Sequence, residues 1–359
     1  MRTRLTLIAL IVATLVAYAP VRYAGLVYED GVYMSFAQRP LTFEDLAQPR
    51  GLTALSFRVQ GVLGAVGPQP YHAVNVACHL LVGLIFFGLA RTLLPVPYAL
   101  VAVGLYFLHP INTEAVAYIA GRAELIAAMG TVAAVWALAG PATWMAAGLA
   151  FLATVIAIGG KETGLMALGL IGLYAVVIRR VPVLRTWRGA GWALGGLATF
   201  VVLALPILQT RILGAIEYLL MTERTPVRYA LTQAYAVVVL LGNALWPSGL
   251  TVDHDYEFLT RGWALVCLGL LAAGLVAAWW IRRRAPVVTF GIGWVAIALL
   301  PRFVVPQSEH LNEPQIVTAF LGLWLASAAG LMHLNAFVTA APKEAVWDAV
   351  SPPPVSSSP

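Results

Sequence analysis

Tyr71-His72-Ala73-Val74-Asn75-Val76-Ala77-Cys78-His79-Leu80-Leu81-Val82-Gly83-Leu84-Ile85-Phe86-Phe87-Gly88-Leu89-Ala90-Arg91 is the stretch that decides the fold. No Asp, Glu, Lys or Arg interrupts it before Arg91. At about 1.5 Å per residue a helix of this length reaches about 30 Å, the thickness of a bilayer's hydrocarbon core. Similar apolar runs recur, and spans are expected at about 4–20, 71–91, 95–109, 125–140, 142–158, 163–179, 189–209, 262–281, 286–305 and 314–333. The fold class expected is all-α: a polytopic membrane protein of about ten crossings, with nine and eleven the neighbouring counts.

The composition agrees. Of 359 residues 60% are hydrophobic and 11% charged, with mean hydropathy +0.84, against a charged share of roughly 25% in soluble domains. Barrel strands would alternate polar and apolar over about ten residues, and no such series occurs. Leu5 to Ala19 behind Arg2 and Arg4 has the layout of a signal peptide, with Ala17-Tyr18-Ala19 like a cleavage box. Pro20 disfavours the cut, so a retained first span with a cytoplasmic N-terminus is expected. Cys78 and Cys267 both fall in apolar runs, which suggests packing rather than a disulfide or a thiolate metal site. The net charge of +6 does not imply nucleic acid, because the basic residues lie scattered between spans; anchoring to anionic lipid headgroups is the simpler account.

Orientation follows the basic residues. Counted as a crossing, 228–246 would put Arg282, Arg283 and Arg284 outside; counted as a re-entrant or interfacial helix, it leaves them inside with Arg179, Arg180, Arg185 and Arg188. The second version leaves 11 of 22 basic residues and 14 of 16 acids outside. An outer face rich in both signs reads as a polar site rather than a set of linkers. Residues 1–335 form the transmembrane domain, with large outer segments at 22–70 and 210–261, and 336–359 is expected to be a disordered cytoplasmic tail.

Charges near membrane depth cost several kcal/mol each unless they meet water, a partner or a ligand. Glu29-Asp30 follows the first span directly, where low dielectric and a close like charge raise a carboxyl pKa and suit a general base. The stretch from His109-Pro110 to Glu124 carries His109, Glu114, Arg122 and Glu124 between two spans. Lys161-Glu162 occupies another outer turn, where a lysine can meet a lipid phosphate. Asp253-His254-Asp255 offers divalent-metal ligands, but three adjacent side chains seldom reach one ion, so hydrogen bonding is favoured and no cofactor is called for. Glu309-His310-Leu311-Asn312-Glu313 marks the last outer loop. Solvated loops and mutual salt bridges are the plainer readings of these charges. No P-loop, GxSxG, HExxH or GxGxxG occurs.

Taken in order, Tyr28-Glu29-Asp30, Pro49-Arg50-Gly51-Leu52-Thr53 through Arg58, Tyr71-His72-Ala73-Val74-Asn75 through His79, His109-Pro110 through Arg122-Ala123-Glu124-Leu125, and Lys161-Glu162-Thr163-Gly164 resemble the transmembrane O-mannosyltransferases that carry tetratricopeptide repeats, and their bacterial relatives. Leu245-Trp246-Pro247 with Asp253, and Glu309-His310 with Glu313, resemble that family's later membrane region. The resemblance covers roughly residues 20–330. Glu29 stands where the family has Asp, Gly51 where it has proline, and no repeat occurs in these residues.

The resemblance implies a GT-C glycosyltransferase that takes a sugar from a polyprenyl-phosphate carrier on the extracytoplasmic side, here expected to be that of a bacterial inner membrane. It implies Asp30 as base with Glu29 in support. Arg50, His109, Glu114, Arg122, Glu124, Lys161, Glu162, Asp253, His310 and Glu313 are the candidate substrate-binding residues, with Arg122 and Lys161 the cations for the leaving phosphate. The expected reaction moves a hexose such as mannose to a protein hydroxyl, a glycan or a lipid. A flippase or other transporter, and a non-catalytic scaffold, are the competing classes; a transporter often shows inverted repeats, and none is visible.

Overall fold

The computed structural model describes residues 1–47, 50–141, 143–181, 213, 225–248, 250, 261–305 and 316–340. Among them every regular element is helical. In chain order these are α1 (Arg2–Tyr18), α2 (Asp30–Gln38), α3 (Phe43–Ala47), α4 (Gly51–Val62), α5 (Gln69–Leu93), α6 (Val96–Leu108), α7 (Thr113–Ala117), α8 (Arg122–Ala137), α9 (Trp144–Gly160), α10 (Met166–Val177), α11 (Pro226–Leu245), α12 (Arg261–Trp280), α13 (Pro286–Val304) and α14 (Val317–Ala340). Several begin as the local sequence dictates. Thr143 and Thr225 accept hydrogen bonds from the Ala146 and Arg228 N–H groups, and prolines open α5, α6, α11 and α13.

Six helical segments are long and apolar enough to cross a membrane: Arg2–Tyr23, Gln69–Leu93, Ile119–Ala137, Gly262–Trp280, Pro286–Phe303 and Val317–Thr339. A seventh arises if Val96–Leu108 and Pro110–Ala117, bent by 49°, count as one. The bend sits at Pro110, which has no N–H to continue the α6 ladder. Two further expected spans are apolar but short, Trp144–Gly160 and Glu162–Val177. The chain is thus a multi-pass membrane protein, and the expected span at 189–209 lies outside the described residues. Helix α11, over the doubtful 228–246 stretch, is not among the helices apolar enough to cross; it buries Thr232, Gln233 and Asn243. Helix α14 continues to Ala340, past residue 336 where the tail was expected to start.

Helix α8 is the centre: 83% of the Ile119–Ala137 stretch is buried, against 11% of Arg2–Tyr23, which is exposed on most of its surface. Around α8 the core collects Phe86, Phe107, Leu125, Trp294 and Phe320, all without exposure. Because lipid is as apolar as these side chains, contact between the helices rests on close backbone approach. A Cβ at Gly130 would stand 2.4 Å from the Ala157 nitrogen, so only glycine lets α8 and α9 pack this tightly. The two ends of α8 differ in chemistry. At its start lie Arg122 and Glu124; beyond its end the Leu138 and Ala139 carbonyls accept from Arg179, 3.0 Å each, as the last turn of a helix favours. Arg180 reaches the Arg283 carbonyl at 3.3 Å, so the α12–α13 turn also lies at this arginine end.

Candidate active site

The acidic pair sits on a tight connection between α1 and α2. Tyr28 takes φ +45°, the left-handed region that a tyrosine rarely adopts, and turns the chain into α2. Glu29 is the helix cap and is exposed; Asp30 opens the first turn and has no exposure. Asp30 Oδ2 accepts from the Val27 N–H and Oδ1 from the Ala120 N–H, both at 3.0 Å. Neighbours in sequence therefore face opposite ways, one to solvent and one to the turn before α8. Burial lifts the Asp30 carboxyl above the ordinary aspartate value, and the two N–H bonds and nearby His72 offset this only in part. The Glu29 N–H donates to the Tyr118 hydroxyl at 3.2 Å, and Tyr28 meets the Tyr118 ring edge-on. Burial also raises the Tyr118 hydroxyl pKa.

Helix α5 supplies a polar stripe beneath this turn. His72, Asn75 and His79 fall three and four residues apart, on one face, and all are buried. His72 Nε2 donates to the Ala24 carbonyl at 3.2 Å, while its Nδ1 has no hydrogen-bond partner among the described residues. Asn75 Nδ2 donates to the Tyr118 and Ile119 carbonyls at 2.9 and 3.2 Å, and its Oδ1 accepts from Arg122 Nε at 2.9 Å. Arg122 is fully buried. It also donates to the Tyr71 carbonyl and the Ser56 hydroxyl, and its guanidinium lies 4.0 Å from the centre of the Phe57 ring. These contacts are neutral, so the positive charge of Arg122 stands without a carboxylate among the described ion pairs.

The remaining charges pair off nearby. Lys161, just past α9, hydrogen-bonds Glu124 in the first turn of α8, and both are buried. Arg50, left-handed at φ +75°, grips Glu162 with two bonds of 3.0 Å and donates to the Tyr33 hydroxyl at 2.6 Å. Thr53 ties α4 to the end of α9 by donating to the Gly160 carbonyl at 2.8 Å. His109 lies farther along. It donates to the Ala244 carbonyl at 3.1 Å, accepts from the Ile111 N–H, and packs against the Trp324 ring. Glu114 opens α7, half-buried.

Glu29, Asp30, Arg50, Arg122, Glu124, Lys161 and Glu162 thus come from four separate stretches to one polar layer at the start of α8. Asp253, His310 and Glu313 lie outside the described residues. Among the described residues no three of His, Cys, Asp and Glu gather as a metal site would need. His72 and Asn75 belong to the Tyr71-to-His79 motif but are not among the candidate site residues read from the sequence. Their signal was there: two polar side chains on one face at the mouth of an apolar span, where polarity is costly.

The chain is similar to several protein O-mannosyl-transferases. It is 31% identical over 193 residues to Protein O-mannosyl-transferase TMTC3 of Mus musculus, 50% of this chain and 21% of that protein. It is 29% identical over 268 residues to Protein O-mannosyl-transferase Tmtc2 of Drosophila melanogaster, 68% of this chain and 27% of that one. An 81-residue stretch is 43% identical to Protein O-mannosyl-transferase TMTC2 of Homo sapiens. The matched stretches therefore span only 10% to 27% of the length of these curated relatives. No family model matches it, and no solved structure does.

Proposed function

We propose that the chain is a membrane glycosyltransferase that moves a hexose, mannose in the first place, from a polyprenyl-phosphate donor to an extracytoplasmic hydroxyl, with Asp30 as general base. One observation carries this reading: in a chain similar to O-mannosyl-transferases, a covered carboxylate of raised pKa is held in fixed orientation at the head of the central helix. In the reaction the acceptor oxygen attacks the anomeric carbon as the bond from that carbon to phosphate oxygen breaks. The acceptor proton passes to the Asp30 carboxylate, and the electron pair leaves with the phosphate.

The departing phosphate needs positive charge nearby. Arg122 contributes a buried cation without a carboxylate partner among the described residues, beside the α8 N-terminus whose dipole has the same sign. Lys161 adds a second cation, held by Glu124, and Arg50 a third, held by Glu162. Asp30 is covered but lies close under the surface, so the acceptor reaches it when the 24–29 segment lifts. Side-chain bonds hold that segment at three points, Val27 N–H to Asp30, Glu29 N–H to the Tyr118 hydroxyl and His72 to the Ala24 carbonyl, and it carries the strained Tyr28. Membranes containing the chain, given radiolabelled polyprenyl-phosphate-mannose and a serine- and threonine-bearing peptide, should label the peptide. Absence of label in peptide, glycan and lipid alike sinks the proposal.

A further inference from the structure

At the opposite end of α8 from the acidic pair, the structure contains a second place built for a ligand. A cavity of ≈ 240 Å³ opens between the end of α10 and the α12–α13 turn, lined by Val177, Val181, Trp279, Arg180, Arg282 and Arg283 among others. That volume is below the ~300–1,000 Å³ usual for small-molecule pockets, and suits a phosphate with its ester carbons. The lining divides by chemistry. Val177 is buried, Val181 and Trp279 are half exposed, and together they make an apolar wall. The three arginines make the other side, and among the described residues no carboxylate lines the cavity.

Two of the three arginines are held by their surroundings. Arg180 donates to the Arg283 carbonyl at 3.3 Å. Arg282 donates to the Trp279 carbonyl at 2.7 Å, with its guanidinium 4.4 Å over the Trp279 ring. Both anchors are neutral, so they fix position without satisfying charge. The sequence offers no local remedy, since no Asp or Glu occurs between Glu162 and Glu217 or between Glu257 and Glu309. Three arginines lining one small cavity concentrate like charge that an anion would offset, and the fork of arginine suits phosphate oxygens. The neighbouring Trp280 is 85% exposed, as tryptophans at the lipid–water boundary are.

We propose that this cavity binds the phosphodiester headgroup of an anionic phospholipid from the leaflet at the arginine end, with its acyl chains running down the Val177–Val181 wall. An inorganic phosphate ion shares the headgroup chemistry but has no use for that wall. The test uses the purified full chain in detergent, with bound lipid counted by native mass spectrometry during titration with dioleoyl-phosphatidylglycerol, dioleoyl-phosphatidylcholine or inorganic phosphate. The expected result is preference for phosphatidylglycerol over phosphatidylcholine, retained in millimolar phosphate. R180Q/R283Q should weaken phosphatidylglycerol binding by about tenfold. R91Q/R284Q removes two charges at the same end outside the cavity and should leave binding within about twofold. Arg180→Gln alone, a change to an exposed side chain, gives the same direction of loss if the double variant does not fold. Equal loss in R91Q/R284Q would mean general charge attraction and overturn the site. Equal binding of the two lipids, or displacement by phosphate, would overturn the lipid assignment.

Discussion

Glu29 and Asp30 differ by one methylene and one position, and the fold gives them opposite surroundings. Only Asp30 is covered and tethered through both carboxylate oxygens, and its burial raises its pKa; these are the properties of a base placed in advance. Asp30→Asn keeps size and one acceptor oxygen but removes the basic lone pair, so turnover should fall by about 10²–10⁴-fold while donor binding persists. Glu29→Gln, on the exposed neighbour, should lower turnover by less. Transfer at the parental rate by purified Asp30→Asn, with Glu29→Gln inactive, would exchange the two roles. The same shift fixes a pH dependence. A base works only when deprotonated, so kcat/KM should fall as pH drops through the raised Asp30 value, with its acid limb above that of an ordinary aspartate at 3.8. The stability effect has the opposite sense: because the folded pKa is raised, Asp30's contribution is present below the unfolded value and is lost as pH rises through the folded one. An acid limb at or below the ordinary aspartate value, in a profile checked for unfolding, would show that Asp30 is not the titrating base. At this scale position after the first span points to the Glu29-Asp30 pair and the family resemblance favours Asp30, whereas the physical difference between them depends on Ala120, ninety places away, and cannot be read locally.

At the scale of elements, the site exists because α8 and α9 approach closely enough for Lys161 to reach Glu124. Gly130 makes this possible. Its missing Cβ would lie 2.4 Å from the Ala157 nitrogen and 2.6 Å from the Ala153 carbonyl oxygen, both backbone atoms that no rotamer change can move. Gly130→Val should therefore force the helices apart, lowering stability by about 1–3 kcal/mol and loosening the Lys161–Glu124 pair with it. Gly148→Val, on the same helix pair but with open space around its Cα, is the matched control. Thermal unfolding in detergent separates them, and equal melting temperatures for the two variants would remove Gly130 from this role. Helix existence was legible, since apolar length alone marks α5, α8 and α12. Pairings such as Arg50 with Glu162 or Lys161 with Glu124 were not, because they arise from which helices pack together rather than from spacing along the chain. The break at His109-Pro110 lies between: Pro110 announced an interruption, but not that the chain would bend by 49° and continue.

The whole molecule has two chemically distinct ends, and α8 connects them. Acids and paired cations gather where α8 begins, and Arg179, Arg180 and Arg282 to Arg284 where it finishes. The charge pattern in the sequence suggested this polarity through the rule that short basic loops stay inside, and the helix order gives it a geometric basis. From α8 to α10 the chain runs down, up and down again, putting Glu124 with Lys161 at one end and the 138–140 carbonyls with Arg179 at the other. It follows that Gly31 and Gly140 lie on opposite sides of the membrane. Both positions, and Gly262, have open space where a side chain would be added, so a cysteine there should be tolerated and reachable. In a background with Cys78 and Cys267 replaced, an impermeant thiol reagent applied to intact cells should label cysteine at 31 and 262, and label 140 only after the membrane is opened. Labelling of 140 from outside would invert the whole arrangement and place the acidic pair in the cytoplasm, where an extracytoplasmic acceptor could not meet Asp30. Labelling of 262 only from inside, with 31 and 140 as expected, would require 228–246 to cross and would put the α12–α13 turn outside, against its contact with Arg180.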